Sequence, residues 1–173
     1  VQVGGDISAK EGWRIAVSLI WQNTGNLERT LNTVRKLGLC TDQEAKVLVT
    51  MAQRKINAVT STSAGRLFDG VSAILGIRRA STFEGEASTA LEFAAEAWRK
   101  QREMQKKNPE ENLKIRMSEK EDIPESTGIS EASEDERKFI LNTGEIVAYL
   151  VRARLAGEDP GKLAYGLSPG TGR

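Results

Sequence analysis

Histidine is absent from this chain of 173 residues. A metal site built on histidine ligands, or a general base that uses an imidazole, is therefore excluded within it. Cys40 is the one cysteine, so no internal disulfide can form. Sparse cysteine is typical of proteins held in a reducing compartment, and we expect a cytoplasmic protein. We interpret Cys40 as a small packing residue, because the sequence supplies no base beside it to favour a thiolate.

Long apolar runs and a large net charge are also missing. The apolar runs are far shorter than the roughly 20 residues that span a bilayer. The first residues, V-Q-V-G-G-D, show neither the basic start nor the apolar core of a signal peptide. Twenty-five basic and 24 acidic residues leave a net charge of +1, which gives no basic footprint for nucleic acid. We therefore expect neither a membrane nor a nucleic acid as a partner.

Helical periodicity is the dominant pattern in what remains. Hydrophobic residues make up 39% of the chain and charged residues 28%, an ordinary balance for a soluble domain with a core. Apolar residues recur at spacings of three and four in most segments, which predicts a mostly α, bundle-like fold with at most one short strand or hairpin. We predict a helical core at 1–107, a flexible acidic loop at 108–135, a C-terminal helix packed on the core at 136–165, and a tail at 166–173.

The stretch from Asn57 to Gly76 organises the chain. Four hydroxyl residues, 60–63, precede a helical run, where side-chain oxygens commonly cap backbone N–H groups. Arg66 and Asp69 are three residues apart, so they share one helix face and can pair. Two interpretations stay open from the residues alone. One is a capped, buried helix with a local ion pair; the other is a nucleotide-binding turn in which Arg66 contacts an anion and Asp69 holds a hydroxyl such as a ribose oxygen.

A second candidate region follows Phe83. Glu84 and Glu86 lie at the start of a strongly helical segment that we expect to begin near Ser81. They fit the solvated face of that helix, and they also fit a functional acid patch. The residue pattern does not decide between these interpretations.

Three motifs in order carry a resemblance to a known family. They are G-G-D-I-S-A-K-E-G-W-R at Gly4–Arg14, T-S-T-S-A-G-R-L-F-D-G-V at Thr60–Val71 and F-E-G-E-A-S-T-A-L-E at Phe83–Glu92. Together they resemble the HypF-type carbamoyltransferases of nickel–iron hydrogenase maturation, with Gly12 where that family usually has proline. The resemblance covers Gly4 to Glu92 and is loose beyond.

The resemblance implies a fold and an activity. The chain would be the helical middle of a domain of the sugar-kinase, Hsp70 and actin-like superfamily. The whole enzyme would form carbamoyl-adenylate from carbamoyl phosphate and ATP, and would pass the carbamoyl group to a cysteine of a hydrogenase maturation partner protein. Its cofactors would be ATP and zinc or another divalent metal. The metal's histidine ligands lie outside this chain, so the remainder of the carbamoyltransferase would be a further partner.

The same resemblance implies binding residues but no catalytic residue and no metal ligand in this chain. The expected nucleotide-binding residues are Ser63, Gly65, Arg66, Asp69, Glu84 and Glu86. Asp69 would contact the nucleotide sugar, and Arg66 would face its phosphates or the carbamoyl group. We expect the chain alone to be inactive. The alternative is a helical interaction or scaffold domain that keeps the fold without catalysis.

Overall fold

Helices dominate the part of the chain that the computed structural model describes, residues 2–106 and 143–167. The elements, in order, are β1 (Gln2–Val3), α1 (Ile7–Lys10), α2 (Gly12–Thr24), α3 (Leu27–Leu37), α4 (Asp42–Arg54), β2 (Ala58–Val59), α5 (Ala64–Ile74), α6 (Glu86–Lys106), α7 (Thr143–Leu155) and α8 (Pro160–Gly166). The predicted mostly α fold is confirmed. The predicted loop at 108–135 lies outside the described residues.

The two strands form one small antiparallel sheet. Gln2 pairs with Val59 and Val3 with Ala58, so the two strands come from distant parts of the chain rather than from a hairpin. Val3 is buried, which fixes one face of the sheet against the core. The sequence up to the Gly4–Gly5 turn predicts an extended segment, which agrees with β1. Strand β2 has no such signal, because two residues are too few to show the alternation of a strand.

The first predicted helix is broken in two. We expected one helix from Ser8 to about Trp21, but the backbone leaves the helical region at Glu11 (φ −103°, ψ 80°), between α1 and α2. The spacing of Ser8 and Glu11 also predicts a capping box. That prediction is wrong, because the Ser8 hydroxyl donates to the Gly5 carbonyl and the Glu11 carboxylate pairs with Arg14. Trp13 follows the break and is buried in the core, as predicted.

The centre of the structure is the crossing of α2 and α5. A Cβ atom built on Gly70 would lie 2.8 Å from Leu19 Cδ1 and 3.0 Å from Ile15 Cγ2, so the absence of a side chain at Gly70 lets α5 pack closely on these side chains of α2. Helices α3, α4, α6 and α7 pack against α2 or α5 around this crossing, and α8 packs outside them on α6 and α7. The largest fully buried apolar side chains are Ile20, Leu39, Ile74, Leu75, Leu150, Val3, Val17, Val34 and Val147.

Local signals at the ends of α3 and α4 were readable from the sequence. Gly38 caps α3 in the left-handed region at φ 65°, as expected of a glycine after a helix. Thr41 and Glu44 form the predicted capping box: Thr41 Oγ1 accepts from Glu44 N at 3.3 Å, and Glu44 Oε2 accepts from Thr41 N at 2.9 Å.

The predicted small-residue face of α6 receives α8. A Cβ atom on Gly161 would lie 2.7 Å from the Ala94 carbonyl oxygen and 2.9 Å from Trp98 Cβ. The rings of Trp98 and Tyr165 lie 5.1 Å apart and extend the contact. Helix α6 begins at Glu86, five residues later than the predicted Ser81, because residues 81–85 form a turn.

Across the described residues, no helix combines the length and the apolar character needed to cross a membrane.

Candidate functional site

Arg66 and Asp69 form the ion pair that their spacing predicted. Arg66 Nη1 lies 2.9 Å from Asp69 Oδ2 and also donates to the backbone oxygen of Ala9 at 2.8 Å. The arginine therefore joins the first turn of α5 to the last turn of α1. That link across 57 residues has no signal in the sequence, because a backbone carbonyl acceptor can occur at any position.

The carboxylate of this pair lies deeper than the guanidinium. The side chain of Asp69 is 10% exposed and that of Arg66 is 22% exposed. Although Arg66 is at ion-pair distance, the enclosed Oδ2 atom receives no well-directed hydrogen bond from any described residue. Burial raises the pKa of Asp69 above its ordinary value, and the charge of Arg66 opposes that shift in part. Arg66 is therefore the member of the pair that faces outward.

The first turn of α5 is open to solvent. Ser63 occupies the N-cap position with extended backbone (φ −68°, ψ 120°), but its side chain makes no capping hydrogen bond. The helix begins directly after the hydroxyl run, as predicted, but the N-cap side chain does not cap it; the amide of Ser63 donates to Ser61 Oγ at 3.2 Å. Residues 63–65 are exposed, and a Cβ atom on Gly65 would meet only Ser63 Oγ, at 3.5 Å. An uncapped helix start of this kind can receive an anion such as a phosphate.

Glu84 and Glu86 have different surroundings. Glu86 Oε2 accepts from the Thr82 amide at 2.6 Å and from Thr82 Oγ1 at 3.0 Å, while its Oε1 lies 3.3 Å from Arg78 Nε. The hydrogen bonds from Thr82, followed by the charge of Arg78, lower the pKa of Glu86. Glu86 is buried and Glu84 is exposed. The interpretation of Glu86 as a solvated helix residue is wrong, because its carboxylate fastens the turn that precedes α6.

An open groove of about 500 Å³ lies away from these residues. It runs between the start of α2 and the first turns of α4, and its walls are Trp13, Arg14, Thr41, Gln43, Glu44, Val47 and Leu48. None of the predicted nucleotide-binding residues lines it. The structure thus brings Ser63, Gly65, Arg66 and Asp69 together on α5 but does not place them in this groove.

Cys40 is half-buried beside the same groove. Burial, followed by the nearby charge of Glu44, raises the pKa of its thiol to about 11, so the thiol stays protonated at neutral pH. This agrees with its interpretation as a packing residue.

Among residues 2–106 and 143–167, no three histidine, cysteine or carboxylate side chains are grouped so that they could hold a metal ion.

Comparison with known proteins decides the family. A family model described as the carbamoyltransferase, Kae1-like domain, second subdomain, matches residues 1–168. The chain belongs to this carbamoyltransferase family. The match extends well past Glu92, where the motif resemblance ended, and takes in α6, α7 and α8.

Two curated carbamoyltransferases are similar to this chain. The probable carbamoyltransferase HypF of Methanocaldococcus jannaschii is 33% identical over 94 residues, which are 54% of this chain and 12% of that protein. The carbamoyltransferase HypF homolog of Cupriavidus necator is 36% identical over 93 residues, 53% of this chain and 23% of that protein. The chain thus spans less than a quarter of either relative. No solved structure matches it.

Proposed function

We propose that this chain forms part of a carbamoyltransferase that makes carbamoyl-adenylate from carbamoyl phosphate and ATP and transfers the carbamoyl group to a partner protein's cysteine. The observation that carries the proposal is the family match over residues 1–168. We place the reaction in cytoplasmic maturation of nickel–iron hydrogenases, and the chain within a domain of the sugar-kinase, Hsp70 and actin-like type. The remainder of the enzyme supplies the metal site and most of the ATP site.

The open start of α5 would hold the anionic part of the substrate. The N–H groups of Ala64 and Gly65 in the exposed first turn and the adjacent guanidinium of Arg66 are the donors that a phosphate or a carbamoyl oxygen needs. Charge that develops on those oxygens during transfer would be stabilised there, which is electrostatic rather than covalent catalysis.

Asp69 fits a ribose hydroxyl in one respect. Its Oδ2 atom is enclosed and lacks a directed hydrogen bond, and a hydroxyl donor would satisfy it. Because that atom is also the partner of Arg66, the sugar would have to displace Arg66 from it. Exposed Glu84 could line the same cleft. Glu86 would act indirectly, by holding the turn at Thr82 in place.

The proposal is tested by exchange of segments. This chain replaces its matching segment in the Cupriavidus necator carbamoyltransferase homolog, and release of pyrophosphate from ATP is measured with and without carbamoyl phosphate. We expect release that depends on carbamoyl phosphate. Water would cleave carbamoyl phosphate to carbamate and inorganic phosphate, and attack of the carbamate oxygen on the α-phosphorus of ATP would form the adenylate and expel pyrophosphate. A folded chimera that binds ATP but never releases pyrophosphate would contradict the proposal, and one that binds no ATP would favour the scaffold alternative.

Arg66 provides the sharper variant. In an active chimera, Arg66→Ala removes one charged donor from the proposed phosphate site and should lower kcat about 100-fold. Arg152→Ala, which removes an exposed arginine on α7, is the matched control and should leave kcat unchanged. Equal kcat values for the two variants would show that Arg66 does not belong to the phosphate site.

For the isolated chain, we expect no measurable heat on titration with ATP or zinc.

A further inference from the structure

The outer edge of β2 carries backbone groups that no described residue pairs. Gly4 N donates to Asn57 O at 3.0 Å, and the register pairs Gln2 with Val59. In an antiparallel ladder, hydrogen-bonded and non-hydrogen-bonded pairs alternate, so Val3 and Ala58 form a non-hydrogen-bonded pair. The N–H and C=O of Ala58 consequently point away from β1, and neither takes part in a hydrogen bond with the other described residues.

The side chains at this edge are apolar and open. Val59 is 63% exposed and Ile56 is 51% exposed, although Ala58, which lies between them in the sequence, packs on the core. Strand β1 packs against α2 and α4. Among the described elements, β2 packs mainly against β1. Strand β2 is therefore the outer strand, and Val59 and the following Thr60 are exposed.

The backbone before β2 is fixed in an unusual conformation. Lys55 (φ 56°) and Asn57 (φ 45°) both adopt positive φ without being glycine. Such residues cost free energy and persist where the surrounding structure holds them. Lys55 ends α4 in this way, and Asn57 supplies the carbonyl that meets Gly4. The direction of β2 is thus set on one side by its link to β1, while its other side stays available.

We propose that the free edge of β2 pairs with an extended strand from another part of the same carbamoyltransferase polypeptide, which adds a third strand to the sheet. The partner would exchange main-chain hydrogen bonds with Ala58 and place an apolar side chain against Val59. A sheet of two two-residue strands is marginal by itself, and a third strand is the ordinary remedy. This inference rests on the proposed function, since it takes the partner from that enzyme.

A strand from the same enzyme fits better than a second copy of this chain. In the two relatives, the matching segment is 12% and 23% of the protein, so most of each polypeptide lies outside it. Two copies joined only by two-residue strands would bury far less than the roughly 1,200 Å² that stable interfaces need. The free edge of β2 can therefore form main-chain hydrogen bonds, but the surface that two copies would bury there is too small for a stable dimer.

Photo-crosslinking tests the pairing in the Cupriavidus necator chimera. Val59→p-benzoylphenylalanine places a reactive group beside the edge, and Val47→p-benzoylphenylalanine is the matched control, because Val47 is an exposed valine on α4 (54% exposed). We expect the probe at position 59 to form an intramolecular cross-link to a segment contributed by the Cupriavidus protein, mapped by peptide mass spectrometry. The probe at position 47 should lose that cross-link.

Two outcomes would overturn the pairing. One is a probe at position 59 that cross-links only within this chain; the other is a cross-link between copies, detected by mixing light and isotopically heavy protein. Amide hydrogen exchange at Ala58 gives a second measurement: it should be slower in the chimera than in the isolated chain, and equal rates would contradict the proposal. Pyrophosphate release from the same preparation reports on the proposed function separately, since a cross-link without activity refutes only the function.

Discussion

The backbone of Gly12 lies against the backbone of Asp69. A Cβ atom added to Gly12 would sit 2.7 Å from the Asp69 carbonyl oxygen, and neither backbone can yield by a change of rotamer. We expect Gly12→Ala to force α2 and α5 apart and to lower the free energy of unfolding by about 1–3 kcal/mol. Urea denaturation of the purified chain, followed by circular dichroism, measures the change.

The control for this substitution is Gly65→Ala. Gly65 lies in the first turn of α5, is exposed, and has room for a Cβ atom. Alanine favours the helix over glycine by up to about 1 kcal/mol, so the stability of this variant should be unchanged or higher. Equal losses from the two variants would mean that the close contact at Gly12 does not limit the packing of α2 on α5.

Two N-cap residues should respond differently to the loss of a hydroxyl. Thr41 accepts a hydrogen bond from Glu44 N, whereas Ser63 makes no capping bond. We expect Thr41→Ala to reduce stability by about 1 kcal/mol and Ser63→Ala to have little effect. Thermal denaturation of both variants under one buffer condition makes the comparison, and an equal or larger loss for Ser63→Ala would show that its hydroxyl caps α5 in solution.

The buried carboxylate of Asp69 should make stability depend on pH. Its folded pKa is raised above the ordinary 3.8 because burial disfavours the charge. The stability it contributes is full below that ordinary value and is lost as the pH rises through the folded value. Asp69→Asn cannot ionise, so the stability of this variant relative to the parent should rise as the pH is raised from the ordinary value of 3.8 through the higher folded value. Asp6→Asn, at an exposed aspartate without a capping bond, is the control; the same trend in both variants would contradict the assignment.

Glu86 should give the opposite pH dependence. Hydrogen bonds from Thr82 and the charge of Arg78 lower its pKa below the ordinary 4.5, so its stabilising effect is present above that value and lost as the pH falls through the folded value. Glu86→Gln should lower the melting temperature at neutral pH, and the deficit should shrink in acid. Glu84→Gln, at an exposed carboxylate two residues away, should change little. A deficit for Glu86→Gln that persisted in acid would point to packing rather than charge.

Short-range chemistry explains what the sequence could predict. The Thr41–Glu44 box, the glycine cap at Gly38 and the Arg66–Asp69 pair depend on residues within four positions of one another. Their geometry follows from helix periodicity alone. The ordered motifs around them indicated the family that the comparison then showed for residues 1–168.

Contacts between distant segments explain what the sequence could not predict. The pairing of Ala58 with Val3 depends on a distant segment, and the carbonyls just before the break at Glu11 accept from Arg66 and Ser81. For Glu86, the nearby Thr82 was a usable signal, since a hydroxyl four residues before a glutamate can bond to its carboxylate. Whether Glu84 and Asp69 contact a nucleotide stays a prediction, because both roles come from the family rather than from a bound ligand.

The early end of α1 has a consequence for how the protein is made. Because that helix stops after one turn, its last carbonyls stay available: Ala9 accepts from Arg66, and Lys10 accepts from the amide of Ser81 at 2.7 Å. During synthesis, the single turn of α1 therefore cannot acquire these partners until the chain has been extended through Ser81. The amino-terminal end of this segment is finished late, although it is translated first.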